Sequence, residues 1–598
     1  MVSCWAMASE PARVPESRQA AAPLRSDPVA RTAPVPLLAV NAAPGQVTKE
    51  SADFSVWQVD SMEKVFREAA LPNLPRSDLT IDAARNEVIS AQVVVWCKEP
   101  MEKVACRAGA LKLGAGQPIP APRVRWVGYV PVGTDYKGIG GPQKPAPDPL
   151  LENAPEKIVP GLAQPIWLTY KIPADSAPGL YQGEVEVEAT IQGKVRAMKV
   201  PLRIQVYAAK LPDTRTLKVS NWTWFDNSGV AKLCGVEEVY SEPFWKLMEA
   251  VAQNMAAHRQ NVIFTPLQGG WSQNDLITAK VNPQGKLEID FTLFDRWVTI
   301  FRAAGVDGLI EGVQLARPNK RGGKNYIADG GHFKSVAWKI EDGKAVRVWL
   351  SSMSEEYDQY LALYLPALQK HLEAKGWLKN YVQHVYDEPQ PSHAETYNLF
   401  VKRVRKHAPW IRIIDAISTE KVFESVDIMV PLYGAGFTPK AVAERERAKE
   451  KELWFYTCIA PSPMNRFIAE PLTHPRLLHW VNFQTKTTGY LHWAYNWWIY
   501  RKNPLEGRWK LRPGDEWLVY PKLGGVLDSI RSEAILEGLQ DHELLVTLAA
   551  RDATAAERIG KVPGRHNAAK SKEVTGPRRD SVETLRAARK ELLQALSK

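Results

Sequence analysis

Hydrophobic and polar residues alternate with a period of two over much of residues 51–212. The run Glu184–Glu188 places Val185 and Val187 on one face of a strand and glutamates on the other, and residues 200–206 repeat the alternation. Gly193 lies between the two runs, where a hairpin needs a turn. Pro/Gly-rich loops separate these short strands without a clear helical repeat, so the pattern predicts an N-terminal β-sandwich over residues 51–212.

Beyond Pro212 the period changes, and β-prone runs alternate with amphipathic helices. Ser241 is placed to cap one such helix, and Gly305 follows the apolar stripe of another. The strands are predicted at residues 217–225, 261–267, 308–315, 381–386, 411–417, 427–432, 453–458 and 489–496. Eight strand–helix units predict a (β/α)8 TIM barrel over residues 213–530.

The two ends of the chain differ from these domains in composition. Residues 1–50 are rich in Ala, Pro, Ser and Arg, and predict a disordered leader. Ala6-Met7-Ala8 resembles the end of a signal peptide, but the charged and long apolar regions are missing. We therefore expect export to the periplasm or outside the cell from a trimmed or misplaced start, with a cytoplasmic location as the alternative. Residues 531–598 predict a C-terminal helical extension whose last helix packs on the barrel.

Composition narrows the class of protein. A chain of 598 residues is too long for one hydrophobic core, and no apolar run is long enough to cross a membrane. The net charge is +11, but residues 551–598 hold 12 Lys/Arg against 6 Asp/Glu, so this tail alone contributes +6. We therefore expect no nucleic-acid partner. The chain length and composition leave the oligomeric state open.

The five cysteines are few and lack the spacing of metal ligands. The sequence also gives no sign of a nucleotide-binding motif, so we expect neither a metal nor an organic cofactor. Cys97 and Cys106 are close enough in sequence to bridge a hairpin. Two free thiols are the favoured interpretation.

The most informative motif is Asp387-Glu388, which stands where the apolar, β-prone run from Tyr381 stops at Pro389. Since the chemistry of such barrels lies at the carboxyl ends of the strands, this motif predicts a catalytic acid pair on the fourth strand. The same dipeptide occurs as Asp515-Glu516 in a Pro-Gly turn, where we expect a solvated loop.

Aromatic and amide residues cluster near the ends of the later strands. Such a lining suits a sugar, because its C–H faces pack on aromatic rings while its hydroxyls need a few polar groups. Most of the 21 tryptophans are expected to pack in the core. The predicted substrate-binding residues are Tyr433, Tyr456, His492, Trp493, Asn496 and Trp497.

The adjacency of the two acids restricts the mechanism. Glycosidases usually place two carboxylates on opposite sides of the sugar, about 5–5.5 Å or 6.5–9.5 Å apart, whereas adjacent residues approach it from one side. A 2-acetamido sugar supplies the missing nucleophile, its own acetamide oxygen, and forms an oxazolinium ion. Glu388 would then be the general acid and later the general base. Asp387 would stay ionised and orient the acetamide N–H, while Tyr433 or Tyr456 holds the acetamide oxygen.

Several segments together resemble glycoside hydrolase family 123, the β-N-acetylgalactosaminidases and their relatives. The matching segments are Arg85-Asn86-Glu87 with Gln92, His258-Arg259, Tyr386-Asp387-Glu388-Pro389, the run 454–471, Pro475-Arg476-Leu477-Leu478, the run 489–498, and Ser529-Ile530-Arg531 with Glu533, Glu537-Gly538 and Asp541-His542-Glu543. The resemblance covers roughly residues 52–548. It implies a β-sandwich, a catalytic barrel and retaining, substrate-assisted cleavage of β-linked N-acetylgalactosamine, with the family's acid pair at Asp387 and Glu388.

Two alternatives stay open at this point. One is a glycosidase for another sugar, in which Asp387 is a true nucleophile. The other is a barrel that binds carbohydrate without turning it over. The other polar groups are interpreted as structural: His384 and His258-Arg259 as hydrogen-bonded packing residues, and the acids and arginine at 531–541 as an ion-pair network.

Overall fold

The computed structural model describes residues 53–69, 79–133, 143–269, 274–318, 333–434, 439–461, 464–498, 504–506, 511–561 and 581–598. The leader predicted at residues 1–50, and with it the evidence for export, lies outside the described residues. The domain limits given above stay predictions. Among the described helices, none is both long and apolar enough to cross a membrane.

The N-terminal domain is a β-sandwich of two five-stranded sheets. Its strands are β1 (Phe54–Val59), β2 (Thr80–Arg85), β3 (Val88–Cys97), β4 (Met101–Ala108), β5 (Arg123–Gly133), β6 (Gln143–Leu151), β7 (Lys157–Ile158), β8 (Gln164–Lys171), β9 (Gly179–Ile191) and β10 (Lys194–Lys210). The strand orders are β1-β3-β8-β5-β6 and β2-β10-β9-β4-β7. The inward-facing residues of both sheets form one apolar core.

The predicted hairpin is confirmed in strands β9 and β10, which pair antiparallel from Ile191 and Lys194 outward. Gln192 and Gly193 both have positive φ, at 50° and 73°, as a tight two-residue hairpin turn requires. Val185 and Val187 are fully buried, so the alternation read from the sequence sets which face of the sheet meets the core.

The second domain is a barrel of eight parallel strands, and each of the eight predicted strands is present. They are β11 (Lys218–Asn221), β12 (Val262–Thr265), β15 (Leu309–Gly312), β19 (Tyr381–Gln383), β20 (Ile414–Ile417), β21 (Ile428–Pro431), β22 (Glu452–Thr457) and β23 (Gly489–His492). Backbone pairing runs β12-β15-β19 and β11-β23-β22-β21-β20. The Gln383 N–H donates to the Arg412 carbonyl at 3.0 Å and joins β19 to β20.

The barrel closes between β11 and β12 through a side chain. The Asn261 amide donates to the Leu217 carbonyl at 3.0 Å and accepts from the Val219 N–H at 2.9 Å. One carboxamide thus takes the donor and acceptor positions that a neighbouring strand would supply. The fully buried Asn261 side chain therefore holds the first strand in place.

The described residues form ten α-helices, most of which cover the outside of the barrel. They are α1 (Ser228–Lys232), α2 (Glu242–Ala257), α3 (Thr292–Ala304), α4 (Glu355–Ala374), α5 (Ala394–His407), α6 (Pro439–Arg447), α7 (Thr473–Thr485), α8 (Ile530–Ala549), α9 (Ala553–Ile559) and α10 (Val582–Leu596), with 3-10 turns at Leu378–Asn380 and Glu420–Ser425. As predicted, Ser241 caps α2 by accepting from the Phe244 N–H, and Gly305 ends α3 with a left-handed φ of 99°.

The sequence pattern did not predict three small antiparallel additions to the barrel. They are the hairpin β13 (Thr278–Val281) and β14 (Leu287–Asp290), the sheet β16 (Ala316–Pro318), β17 (Phe333–Glu341) and β18 (Lys344–Ser351), and the hairpin β24 (Tyr520–Lys522) and β25 (Gly525–Leu527). Since the first two follow β12 and β15 in the chain, they extend the carboxyl-end face of the barrel.

Helix α8 lies between the two domains and is buried along almost all of its length. Glu533 pairs with Arg125 at 2.8 Å, and Arg531 pairs with Asp148 at 2.8 Å, both on sandwich strands. Asp541 accepts from Arg476 of α7 at 2.8 Å. The predicted ion-pair network is therefore confirmed, and its role is to bind the sandwich to the barrel.

Two further expectations concern the sandwich. Cys97 and Cys106 are free thiols, as favoured above. The expectation that the last helix packs on the barrel is wrong, because α10 packs on strands β2 and β10 and on α8. Arg589 explains this position: it reaches from α10 to Glu87 of the sandwich and Asp541 of α8, two buried carboxylates that both need a cation.

Candidate active site

The acid pair lies in the turn that follows β19. Glu388 adopts a positive φ of 47°, and its N–H donates to the Ala416 carbonyl of β20 at 3.0 Å. This strained conformation turns the chain at the strand end and leaves Glu388 only 7% exposed, while Asp387 is partly buried. Both carboxyl groups are therefore carried by one rigid strand end.

A buried histidine, His384, anchors this strand end to the two neighbouring strands. His384 lies between Glu311 of β15, at 2.5 Å from Nε2, and Asp415 of β20, at 2.9 Å from Nδ1, and all three are fully buried. The two carboxylates raise the pKa of His384 to about 10 against the opposing effect of burial, so the ring is an imidazolium at neutral pH. His384 is thus the hydrogen-bonded strand histidine that the sequence favoured.

The partners of His384 are themselves held by neighbours. Glu311 accepts from the Trp222 indole at 3.0 Å, and Asp415 accepts from the Tyr397 hydroxyl at 2.6 Å. Asp415 also accepts from the Val385 N–H at 3.1 Å, two residues before the acid pair. The network therefore fixes the backbone that leads into the turn with the acid pair.

Tyr456 reaches the acid pair across the barrel. It lies on β22, three strands from β19 around the barrel, and its hydroxyl donates to the Glu388 carboxylate. Burial and the Glu388 charge raise the pKa of Asp387 well above its usual range, and the charge of His384 opposes the shift. Two adjacent acids in this setting readily share one proton between them.

Tyr433 lies beside Tyr456. Its backbone N–H donates to the Tyr456 carbonyl at 2.9 Å, and its ring packs on Phe455 at 5.0 Å. The side chain is 8% exposed, and burial raises the pKa of its hydroxyl to about 12. The structure therefore brings Asp387, Glu388, Tyr433 and Tyr456 to one end of the barrel.

The tryptophans predicted at the eighth strand end lie at the same end of the barrel. The Trp497 ring meets Trp224 edge-on at 4.5 Å and Trp493 at 5.6 Å, so the three indoles form one cluster. Trp493 and Trp497 are 5% and 8% exposed. Their contact with a sugar stays a prediction.

The two polar residues predicted beside them lie deeper. Asn496 is fully buried, and its side-chain Oδ1 accepts from the Trp224 backbone N–H at 2.9 Å. His492 is fully buried as well, and its Nδ1 accepts from the Ala494 N–H at 3.1 Å. Burial and the charge of Arg466 lower the pKa of His492 well below its usual value, so the ring is neutral. Both residues shape the strand end, and a direct contact with substrate stays a prediction for them.

The expectation that Asp515-Glu516 forms a solvated loop is wrong, since these residues are 0% and 3% exposed. The Asp515 carboxylate lies 3.3 Å from His492 Nε2 and accepts from the Trp493 indole at 3.4 Å. Burial raises its pKa to about 7. The following apolar residues, Trp517 to Tyr520, are a sequence signal for this burial.

Arg466 supplies positive charge beneath this end of the barrel. It is fully buried, donates to Asn221 at 2.7 Å and also to the Ala494 carbonyl. Burial lowers its pKa to about 9, so it remains a cation at neutral pH. Its charge opposes the rise in the pKa of Asp515 that burial causes.

One group in the described residues has the composition of a metal site. His258, Asp528 and Glu533 place ligand atoms within 4.8 Å of one another. Arg125 pairs with both carboxylates. The two carboxylates raise the pKa of His258 to about 9, against the opposing effect of burial. A protonated imidazole and a guanidinium already neutralise the two acids, so the donor set does not fit a cation. The group ties the sandwich to the barrel.

A β-sandwich followed by a (β/α)8 barrel whose fourth strand ends in paired acids is the build of a glycoside hydrolase. The profile of the glycoside hydrolase 123 catalytic domain matches residues 224–548, and that of the glycoside hydrolase 123 N-terminal domain matches residues 63–189. The chain belongs to glycoside hydrolase family 123. The resemblance to this family that the sequence motifs indicated is confirmed. As a glycosidase, the protein has a carbohydrate substrate.

Among solved structures, the chain is similar to a family 123 glycoside hydrolase from Clostridium perfringens, described in a study of glycolipid glycan hydrolysis. The identity is 17%, the match covers 91% of this chain and 98% of that one, and the TM-score is 0.73, which supports the fold. A β-glucuronidase from Parabacteroides merdae matches at 12% identity over 79% of this chain and 51% of that one, with a TM-score of 0.27. An endo-β-1,4-mannanase from Thermotoga petrophila matches at 12% identity over 56% and 77%, with a TM-score of 0.31. None of the curated proteins matches the sequence.

Proposed function

We propose that this glycoside hydrolase is a retaining β-N-acetylgalactosaminidase that uses the substrate's acetamide as its nucleophile. The observation that carries the proposal is the adjacency of Asp387 and Glu388 on one strand end, with the Tyr456 hydroxyl on Glu388. Adjacent Cα atoms are about 3.8 Å apart, so the two acids approach the sugar from one side. A nucleophile that belongs to the sugar removes the need for a carboxylate on the opposite side.

The free protein differs in one respect from the roles first assigned to the pair. The raised pKa of Asp387 and the hydrogen bond from Tyr456 to Glu388 together favour a proton on Asp387 and an ionised Glu388. When the substrate's acetamide N–H donates to Asp387, the ionised form of that acid becomes favoured. The proton then belongs to Glu388, and the Tyr456 hydroxyl is free to donate to the acetamide oxygen.

The reaction then proceeds in two balanced steps. The acetamide oxygen bonds to the anomeric carbon as the glycosidic bond breaks, and Glu388 gives its proton to the leaving oxygen. Asp387 stabilises the positive charge of the oxazolinium ring. Water next attacks the anomeric carbon, Glu388 accepts its proton, and the acetamide is restored. Two inversions give net retention.

Three p-nitrophenyl substrates test the sugar: the β-N-acetylgalactosaminide, the β-N-acetylglucosaminide and the β-galactoside. We expect turnover to require the acetamide, and Glu388→Gln to lower kcat by about 10²- to 10⁴-fold, the usual range for a general acid–base. Glu395→Gln, at an exposed position in the first turn of α5, is the matched control and should leave kcat unchanged. Activity on the β-galactoside equal to that on the acetamido sugar would contradict the proposal.

A second experiment tests the nucleophile. Replacing the N-acetyl group by N-fluoroacetyl, N-difluoroacetyl and N-trifluoroacetyl withdraws electrons from the acetamide oxygen, so kcat should fall steeply along the series. A flat series, or a covalent glycosyl adduct on Asp387 detected by mass spectrometry, would instead make Asp387 the nucleophile. Sugar binding without turnover by any substrate would favour the silent carbohydrate-binding barrel.

A further inference from the structure

A cluster of three cations surrounds one tryptophan on the small sheet β16–β18. The Arg317 guanidinium lies 3.9 Å from the centroid of the Trp349 ring, the Lys334 ammonium 5.2 Å from it, and the Arg347 guanidinium 5.5 Å from it. Such distances allow the indole to attract and orient the cations. We call Arg317, Lys334, Arg347 and Trp349 the cationic face.

The cationic face adjoins the catalytic turn through backbone pairing. The Leu315 N–H donates to the His384 carbonyl at 3.1 Å and the Ala316 N–H to the Val385 carbonyl at 3.0 Å. Phe333, next to Lys334, stacks on Tyr386 at 3.9 Å. Strand β16 therefore runs beside the segment that leads directly into Asp387 and Glu388.

Strand spacing gives the distances involved. The sheet order is β16-β17-β18, and neighbouring strands lie about 4.8 Å apart. The backbones of β16 at Arg317, β17 at Lys334 and β18 at Trp349 therefore lie about 5, 10 and 15 Å from the strand segment that leads into the acid pair.

Lys334 lies beside a like charge in this sheet. Arg317 and Lys334 are direct cross-strand partners, and like charges in that position destabilise a sheet. Burial and the Arg317 charge lower the pKa of Lys334. Arg347 is paired with Asp275 at 2.6 Å, whereas among the described residues no carboxylate is paired with Lys334. An anion placed beside Lys334 would relieve the repulsion.

We propose that the cationic face is a subsite for an acidic sugar unit, bearing a carboxylate or a sulfate, in the part of the glycan that leaves. The inference rests on the proposed function, because it assigns the aglycone side of that same site. Guanidinium and ammonium groups form the strong, charge-assisted hydrogen bonds that carboxylates and sulfates accept. Their position beside the catalytic turn favours a saccharide that enters the barrel.

The experiment compares two substrates that differ by one acidic group. The first is a β-N-acetylgalactosaminyl galactose disaccharide, and the second is the same disaccharide with a sulfate or a sialyl group on the galactose. Lys334→Met keeps the aliphatic stem and removes the charge. Lys344→Met is the matched control, since this exposed lysine lies at the far end of β18.

For the wild type we expect a higher kcat/KM on the acidic substrate. Lys334→Met should lower that value by about 10- to 100-fold, the range for one charged hydrogen bond, and leave the neutral disaccharide and the p-nitrophenyl substrate unchanged. Lys344→Met should change none of the three. The acidic preference should also weaken as salt is added, unlike the rate on the neutral substrate.

Two kinds of failure are distinguishable. If no acetamido galactoside is cleaved, the proposed function fails, and the subsite is then tested by calorimetry with galactose 3-sulfate against galactose. Binding of the sulfated sugar that Lys334→Met abolishes would support the subsite on its own. Equal kcat/KM for the acidic and neutral substrates, or a loss in Lys334→Met seen only when the substrate is embedded in anionic vesicles, would overturn it.

Discussion

The fully buried His384, held between Glu311 and Asp415, gives a sharp prediction about stability. The change is His384→Leu, which conserves volume but leaves two buried carboxylates without a cation. The matched control is His407→Leu, because His407 lies 2.9 Å from Asp358, the same distance that separates His384 from Asp415. The two pairs differ in burial, since the His407 and Asp358 side chains are 13% and 22% exposed.

The magnitude follows from the titration of the ring. The pKa of His384 rises from 6.5 to about 10 on folding. At about 1.4 kcal/mol per pH unit this corresponds to roughly 5 kcal/mol at most. Burial raises the pKa of Asp415 and offsets part of that gain. We therefore expect His384→Leu to lower the free energy of unfolding by about 3–5 kcal/mol, and His407→Leu by about 1 kcal/mol or less.

The raised pKa of His384 also sets the pH dependence of this loss. A histidine whose folded-state pKa is raised stabilises the protein in full below its unfolded pKa, near 6.5, and the contribution is lost as pH rises towards about 10. The difference between the wild type and His384→Leu should therefore be largest near pH 6–7 and shrink towards pH 10. The control should show no such trend of comparable size.

Urea denaturation followed by tryptophan fluorescence and circular dichroism at several pH values is a suitable assay, because the unfolding free energy is read from the linear dependence on urea. Equal losses in His384→Leu and His407→Leu would refute the argument that burial makes the difference. A loss in His384→Leu that stays constant from pH 6 to pH 10 would refute the imidazolium.

Three further predictions rest on single contacts. Tyr456→Phe removes the hydroxyl that donates to Glu388, and kcat on the acetamido galactoside should fall about 10- to 100-fold with an unchanged circular dichroism spectrum; an unchanged kcat would exclude a role for the hydroxyl. Arg125→Met should lower the free energy of unfolding in urea by about 3–5 kcal/mol, and Arg123→Met by about 1 kcal/mol or less, because the two side chains are 1% and 55% exposed. Similar losses in the two variants would contradict the role given to burial. A Cβ at Gly538 would lie 2.3 Å from a backbone oxygen of α7. Gly538→Ala should therefore lower the melting temperature, although alanine has a higher helix propensity than glycine. A higher melting temperature would show that α7 and α8 can separate.

The architecture was predictable because its signals are local. Each barrel strand is a short apolar run, and each is found in the structure. The hairpin of β9 and β10 follows from strict alternation around Gly193. The acid pair follows from its place at a strand end. None of these inferences needs knowledge of which distant residues meet.

The polar interior was harder to predict, since it depends on contacts far apart in sequence. Glu311 and Asp415 are lone acids within apolar strand runs, a signal that points to a buried partner but does not name His384. Asp515 stands in a Pro-Gly turn that looks solvated, yet it is buried against His492. A turn is exposed only if nothing packs over it, and a turn motif carries no information about that.

Helix α8 has a consequence for the time at which the sandwich can finish folding. The Val88 N–H and carbonyl of strand β3 pair with the Gln540 side chain at 2.8 and 2.7 Å, across a separation of 452 residues. A ribosome that adds about 5–20 residues per second takes roughly 20–90 s to make that length of chain. During this interval α8 has not yet been synthesised, so the charges that it neutralises, among them Arg125, lack the carboxylates of that helix. The sandwich is synthesised before the barrel and, because of this helix, reaches its final state only when the barrel is complete.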